Sequence, residues 1–227
     1  MTSDSPQSRA GRTAPKGRPC QHQVGAHGLA VKIPRRRLDA KERAPDGHHA
    51  IAHRRRPGRD GFGYDLYELY DGVRRKTDSM GQRHGEIQME IGGPLHAHVR
   101  ANRLGRVYPS DPHFILFRDP DTVVMPDVAF VREDRLAPMD TRDGYAPYAP
   151  DLAVEVISPS NRLVEILEKV ALYGRAGTSL VWLVDPRARS VTVYVPGQEP
   201  RTLRDGDTLD GGDVIPGFRL PVADIFA

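Results

Sequence analysis

Residues 149–162, APDLAVEVISPSNR, constrain the fold more than any other stretch. The valines and isoleucine of DLAVEVIS favour a strand over 151–158, bounded by proline, serine and asparagine. Strand side chains alternate. Leu152, Val154, Val156 and Ser158 therefore share one face, and Asp151, Ala153, Glu155 and Ile157 share the other. The first face is ordinary core. The second carries two carboxylates in a segment suited to burial, and a buried carboxylate needs a partner. Whatever the chain folds into must bring something to Glu155. Asp151 reads more simply as the residue that opens the strand.

The segments around this strand supply the layers. YDLYELYDGVRRK reads as two short strands turning at Asp71-Gly72, a strong hairpin signal. Ile87, Ile91, Leu95 and Val99 recur every four residues and predict a helix over 82–101, with Gly92, Gly93 and Pro94 as a place for a kink. Strands are predicted over 104–108, 113–117 and 123–131, then a polar loop over 132–150. After the Glu155 strand a helix is predicted over 161–175, with Ser160 or Asn161 as N-cap. Its core stripe reads Leu163, Ile166, Leu167, Val170 and Gly174. TSLVWLVD and SVTVYV are two further strands, with Trp182 in the core, and a short strand follows near 200–204. PGFRLPVADIF closes the chain as a turn and a short helix. This order predicts an α/β domain with a central mixed sheet flanked by helices.

The formal net charge of +3 conceals two halves of opposite sign. Residues 1–60 hold 14 Lys and Arg against 5 Asp and Glu, a net of +9; residues 61–227 hold 19 against 25, a net of −6. Residues 1–62 therefore read as a disordered basic extension and residues 63–227 as the folded domain. The extension is either an arm that touches nucleic acid or a segment with no role. Its basicity is no reason to expect that the domain itself binds nucleic acid. His48, His49 and His53 lie in it and lack the further ligands of a metal site. Cys20 is the only cysteine, and no apolar run is long enough to cross a membrane or open a secretory signal. A cytoplasmic protein fits these features. DGDTLDGGD departs from an EF-hand loop and reads as Asp-Gly turns, and GFGYDL lacks the third glycine of a dinucleotide loop.

The chemistry-bearing set is Asp127 in VVMPDVAFV, Glu155, and Lys169 in EILEKVALY. If the strands of Asp127 and Glu155 are neighbours, both carboxylates can point to one spot. Two hard oxygen ligands with water suit Mg²⁺. Lys169 sits at the flank of its helix stripe, from where a long stem can carry the ammonium to the sheet edge. Of the 19 basic residues after position 60, only Lys76 and Lys169 are lysine, so a retained lysine hints at a role that arginine does not fill. The plain alternative pairs Lys169 with Glu165 on its own helix. Asp127 and Glu155 would then be salt-bridged or solvent-facing side chains.

MPDVAFV, PDLAVEVISPSNR, the K-x3-Y from Lys169 to Tyr173, AGTSLVWLVDP, VTVY and IPGFRL together resemble the Uma-type family of restriction-endonuclease-like proteins, in the PD-(D/E)XK nuclease superfamily. The resemblance runs from about residue 64 to 226. It implies a restriction-endonuclease-like fold, with Asp127 at the Asp of the PD motif and Glu155 at its (D/E) position. Ile157 stands where the simple motif has lysine, and Lys169 matches the place to which that lysine has moved. The resemblance also implies roles for Glu68, as a metal ligand or its orienter, and for His84, against metal-bound water or phosphate; His84 as a helix-surface residue is the rival reading. VRRKTDSMGQ is more basic than the family pattern. The implied activity is phosphodiester hydrolysis of nucleic acid, DNA in the first instance, with Mg²⁺ or a substituting Mn²⁺ on Asp127 and Glu155. A homodimer is a further implication. The alternative is a catalytically inactive binding module on the same fold.

Overall fold

The computed structural model describes residues 67–77, 80–139, 142–159 and 162–227. The chain order opens with a hairpin, β1 (Tyr67–Tyr70) and β2 (Val73–Lys76), followed by helix α1 (Gln82–Asn102). Next come β3 (Gly105–Tyr108), β4 (Phe114–Phe117), β5 (Thr122–Val124) and β6 (Val128–Arg132), with a 3-10 turn at Glu133–Arg135. Then follow β7 (Leu152–Val156), α2 (Leu163–Arg175), β8 (Leu180–Asp185), β9 (Ser190–Tyr194) and β10 (Arg201–Arg204). The chain closes with β11 (Thr208–Asp210), β12 (Arg219–Pro221) and α3 (Val222–Ile225).

Six strands form the main sheet in the order β10-β9-β8-β7-β6-β3. It is antiparallel except at its centre, where β7 and β8 run parallel. A parallel neighbour requires a crossover, and α2 provides it. A second, four-stranded sheet has the order β2-β1-β5-β4, and β11 pairs with β12 alone. The hairpin turn holds Asp71 at φ 50° and Gly72 at φ 77°, the paired positive angles of a tight two-residue turn.

Two apolar layers pack on opposite faces of the main sheet. On one, Ile87, Ile91, Leu95 and Val99 of α1 pack with Val128, Phe130, Val154, Val156 and Trp182. The stripe read from the sequence is the buried face of this helix, which runs through Gly92, Gly93 and Pro94. On the other face, Ala129, Val131, Ala153 and Val181 pack with Tyr70, Phe114, Leu172 and Tyr173. Small side chains there let the second sheet and α2 approach closely.

Four expectations are corrected. The single strand over 123–131 is two strands in two different sheets, β5 and β6. Pro126 has no N–H to give a ladder, and the chain changes sheet across Met125-Pro126-Asp127. The predicted stripe of α2 is right at Ile166 and Val170 but not elsewhere: Leu163 and Leu167 are 64% and 43% exposed, and Gly174 is exposed. The inward side instead runs through Ile166, Lys169, Val170 and Tyr173. The N-cap of α2 is Arg162, with no side-chain cap, while Ser160 and Asn161 lie outside the described residues. Finally, DGDTLDGGD is not turns alone but contains β11. The extension over 1–62, with His48, His49 and His53, also lies outside the described residues.

Candidate active site

The change of sheet at Met125-Pro126-Asp127 decides where the polar residues meet. Val128 pairs with Val154 across β6 and β7. The regular ladder ends at that pair: the backbone N–H of Asp127 donates to the same Val154 carbonyl at 3.0 Å, one residue out of register, so Asp127 and Val128 both lie against Val154 beside Glu155. Glu68 arrives from β1, His84 and Gln88 from the first turns of α1, and Lys169 and Tyr173 from α2.

Each carboxylate is held by a separate set of donors. Asp127 Oδ2 accepts from the Val156 backbone N–H at 2.6 Å. Its Oδ1 meets His84 Nε2 at 2.9 Å and accepts from Gln88 Nε2 at 2.8 Å. Glu155 accepts from Lys169 Nζ at 2.8 Å and from the Tyr173 hydroxyl at 2.7 Å. Lys169 Nζ also lies 2.8 Å from Glu68 Oε1 and donates to the Met125 carbonyl at 3.2 Å. Glu68 in turn accepts from the Met125 backbone N–H at 2.8 Å and from the Tyr70 hydroxyl at 3.0 Å. The ammonium thus bridges two carboxylates from different elements and ties α2 to both sheets.

Two carboxylates flank one ammonium, with a third, Asp127, acting on Glu155, and the electrostatics follow. Burial, reinforced by Asp127 and Glu68, pushes the Glu155 carboxyl up to about 8 despite the pull of Lys169. Burial works against the charge of Lys169, but Glu155 and Glu68 more than offset it and hold the ammonium well above its ordinary value. Burial likewise raises the Tyr173 hydroxyl, with Glu155 beside it. Tyr173 is therefore a hydrogen-bond donor and not a base at neutral pH.

Glu68, Tyr70, His84, Asp127, Glu155 and Lys169 line an open cavity of about 210 Å³. Arg75, Lys76 and Met80 form part of its rim, and Ser110, Asp111 and Ser158 also contribute.

The Uma2 family model, described as "Putative restriction endonuclease", matches residues 65–223. This chain belongs to the Uma2 family. A solved structure with the same fold is that of "a putative nuclease belonging to DUF820" from Anabaena variabilis. It is 22% identical, with a TM-score of 0.64, over 71% of this chain and 90% of that one. At that identity the likeness is one of fold, and the fold here is the restriction-endonuclease-like α/β type. No curated protein matches the chain.

In this Uma2 chain the five residues singled out from the sequence, Glu68, His84, Asp127, Glu155 and Lys169, all line the one cavity. Lys169 reaches Glu155 and Glu68 rather than Glu165, which instead lies 3.9 Å from Arg162. Asp151 is at the other end of β7, where its carboxylate holds the Arg132 N–H at 2.9 Å and Arg135 at 2.7 Å, a buried structural anchor. Both oxygens of Glu68 are engaged, by Met125, Lys169 and Tyr70, as both oxygens of Asp127 and of Glu155 are by their own donors. Gln88, Tyr70 and Tyr173 have no assigned role in the sequence reading. Gln88 is four residues after His84 and Tyr173 four after Lys169, and that helical spacing was the available signal.

Among the described residues, no group of three or more His, Cys, Asp or Glu side chains is arranged to hold a metal ion. The carboxylates of Asp127 and Glu155 line the same cavity, and a cation there would share or displace their protein donors. Mg²⁺ takes one or two carboxylates and keeps several waters, so this oxygen-only pair fits it. His84 Nδ1 is buried without a hydrogen-bond partner, an unspent polar atom at this site. Among the described residues no helix is long and apolar enough to cross a membrane.

Proposed function

We propose that this chain is a divalent-metal-dependent endonuclease that hydrolyses phosphodiester bonds in DNA, with residues 63–227 as the nuclease domain and residues 1–62 as an extension. The observation that carries the reading is Lys169. A lysine rooted in the inward face of a helix spans Glu155 and Glu68 at 2.8 Å each, beside Asp127, on the wall of an open cavity. A core salt bridge with no task is weak support for stability. A cation set next to paired carboxylates is what phosphoryl chemistry needs.

Asp127 and Glu155 would hold Mg²⁺, or Mn²⁺ in its place. The chemistry such an ion supplies is polarisation of a phosphoryl oxygen and acidification of water. His84, Gln88 and the Val156 N–H fix the Asp127 carboxylate in one orientation. Tyr173 does the same for Glu155. Lys169 keeps its proton between two carboxylates, so its part is electrostatic: it opposes the negative charge that builds on phosphate oxygens. It is not the base.

A binding module without turnover is the second reading. Two observations favour it: residues 61–227 carry a net of −6, and both oxygens of Asp127, of Glu155 and of Glu68 already have protein partners. Cleavage of supercoiled plasmid separates the two. The nuclease reading predicts nicking in Mg²⁺ or Mn²⁺, none in EDTA, and rates at least about a hundredfold lower for Asp127→Asn and Glu155→Gln. Plasmid that stays intact with either metal would leave only the binding module.

A further inference from the structure

The cavity is lined by carboxylates and, beside them, by cations that the chemistry above does not use. Arg74, Arg75 and Lys76 are the only three consecutive cations after residue 60. They lie on β2, the edge strand of the second sheet. Arg75 faces the site: it pairs with Glu68 across β1 and β2, and its guanidinium lies 4.0 Å from the centre of the Tyr70 ring. Glu168 of α2 accepts from it twice, at 2.8 and 3.2 Å. A stack and a fork together fix the guanidinium plane, yet its side chain stays 41% exposed and lines the cavity. Glu168 uses two of five guanidinium N–H donors, which leaves three for an anion. Lys76, exposed and one residue further, lines the same rim.

We propose that Arg75 and Lys76 form a phosphate-binding strip that grips the backbone of a polynucleotide next to the bond at Lys169. The proposal rests on the nuclease reading and sharpens it: the substrate is a polymer, held by a phosphate flanking the one attacked, and not a small phosphate ester. The domain as a whole is acidic, so attraction for nucleic acid must be local, and this rim is where the cations adjoin the site. The rival account is that cations on an edge strand merely discourage sheet-to-sheet aggregation.

The test is fluorescence anisotropy of a labelled duplex DNA across a salt series in EDTA, using the full chain. Each phosphate that is no longer neutralised by a side chain should lower the slope of log K against log salt by about 0.9. Arg75→Ala with Lys76→Ala should flatten the slope by nearly two and weaken binding at low salt by about tenfold or more. Arg75→Lys with Lys76→Arg should keep the slope. Should the double alanine variant fail to fold, Lys76→Ala alone leaves Arg75 in place between Glu168 and Tyr70 and should flatten the slope by about one. Arg219→Ala, an exposed cation on β12, is the control and should change nothing. Wild-type affinity and slope in the alanine variants would overturn the strip, and aggregation of those variants at unchanged affinity would favour edge protection. Failure of the two ideas is separable. Plasmid cutting with an unchanged slope leaves the nuclease without the strip. A slope that depends on Arg75 and Lys76, without cutting, leaves the strip on a binding module.

Discussion

At the scale of single residues, Glu155 is where the fold works against itself. Its carboxyl is pushed up to about 8, by burial first and then by Asp127 and Glu68. The unfolded chain would ionise it near the ordinary value of about 4.3. Between those limits the folded state binds the extra proton. Its stabilising contribution is therefore complete below the unfolded value and is lost as pH rises through about 8. Lys169 is held above its ordinary value and stays charged throughout that window. Thermal melts in EDTA should thus show stability falling between pH 5 and 8, by at most about 1.4 kcal/mol per unit for the one proton. Glu155→Gln should flatten that fall. A wild-type curve as flat as that of the variant would mean that Glu155 is not strained by its surroundings.

Among the elements, α1 and α2 show what periodicity can and cannot reveal. The inward face of α1 is apolar at every fourth position, so the pattern and the burial coincide. The inward face of α2 has Lys169 at its centre and a tyrosine whose hydroxyl is spent on Glu155. Counting apolar positions therefore finds Ile166 and Val170 but draws the stripe sideways onto the exposed Leu163 and Leu167. A similar effect hides the break between β5 and β6: Val123 to Val131 reads as one apolar run, interrupted only by the Pro126-Asp127 pair. Local pattern fails here where polar residues occupy inward positions. Urea unfolding checks the assignment. Leu163→Ala should change stability by no more than about 0.5 kcal/mol. Leu172→Ala, 4% exposed, should cost about 2–5 kcal/mol. The reverse order would restore the stripe first read from the sequence.

For the whole molecule, the parallel pair β7–β8 and its crossover α2 bring the carboxylate strand and the lysine helix together. The change of sheet at Pro126 then delivers Asp127 and lets Glu68 reach in from the second sheet. Asp127, Glu155 and Lys169 were legible because charge stands out within apolar segments. Gln88, Tyr70 and Tyr173 were not, since neutral residues acquire a role only once four elements converge. An ion that binds only this assembled state must stabilise it, by about 2.7 kcal/mol at a concentration of a hundred times Kd. Mg²⁺ should accordingly raise the Tm of the wild type and leave Asp127→Asn unmoved; equal shifts in both would place the ion elsewhere. The central claim is that the Lys169 ammonium, spanning Glu155 and Glu68, drives the chemistry. The most direct measurement is the single-turnover rate of DNA cleavage by Lys169→Met in Mg²⁺, with near-wild-type circular dichroism as the check on folding. A loss of about 10²–10³-fold is predicted. A folded variant that cuts within about threefold of the wild type would contradict it.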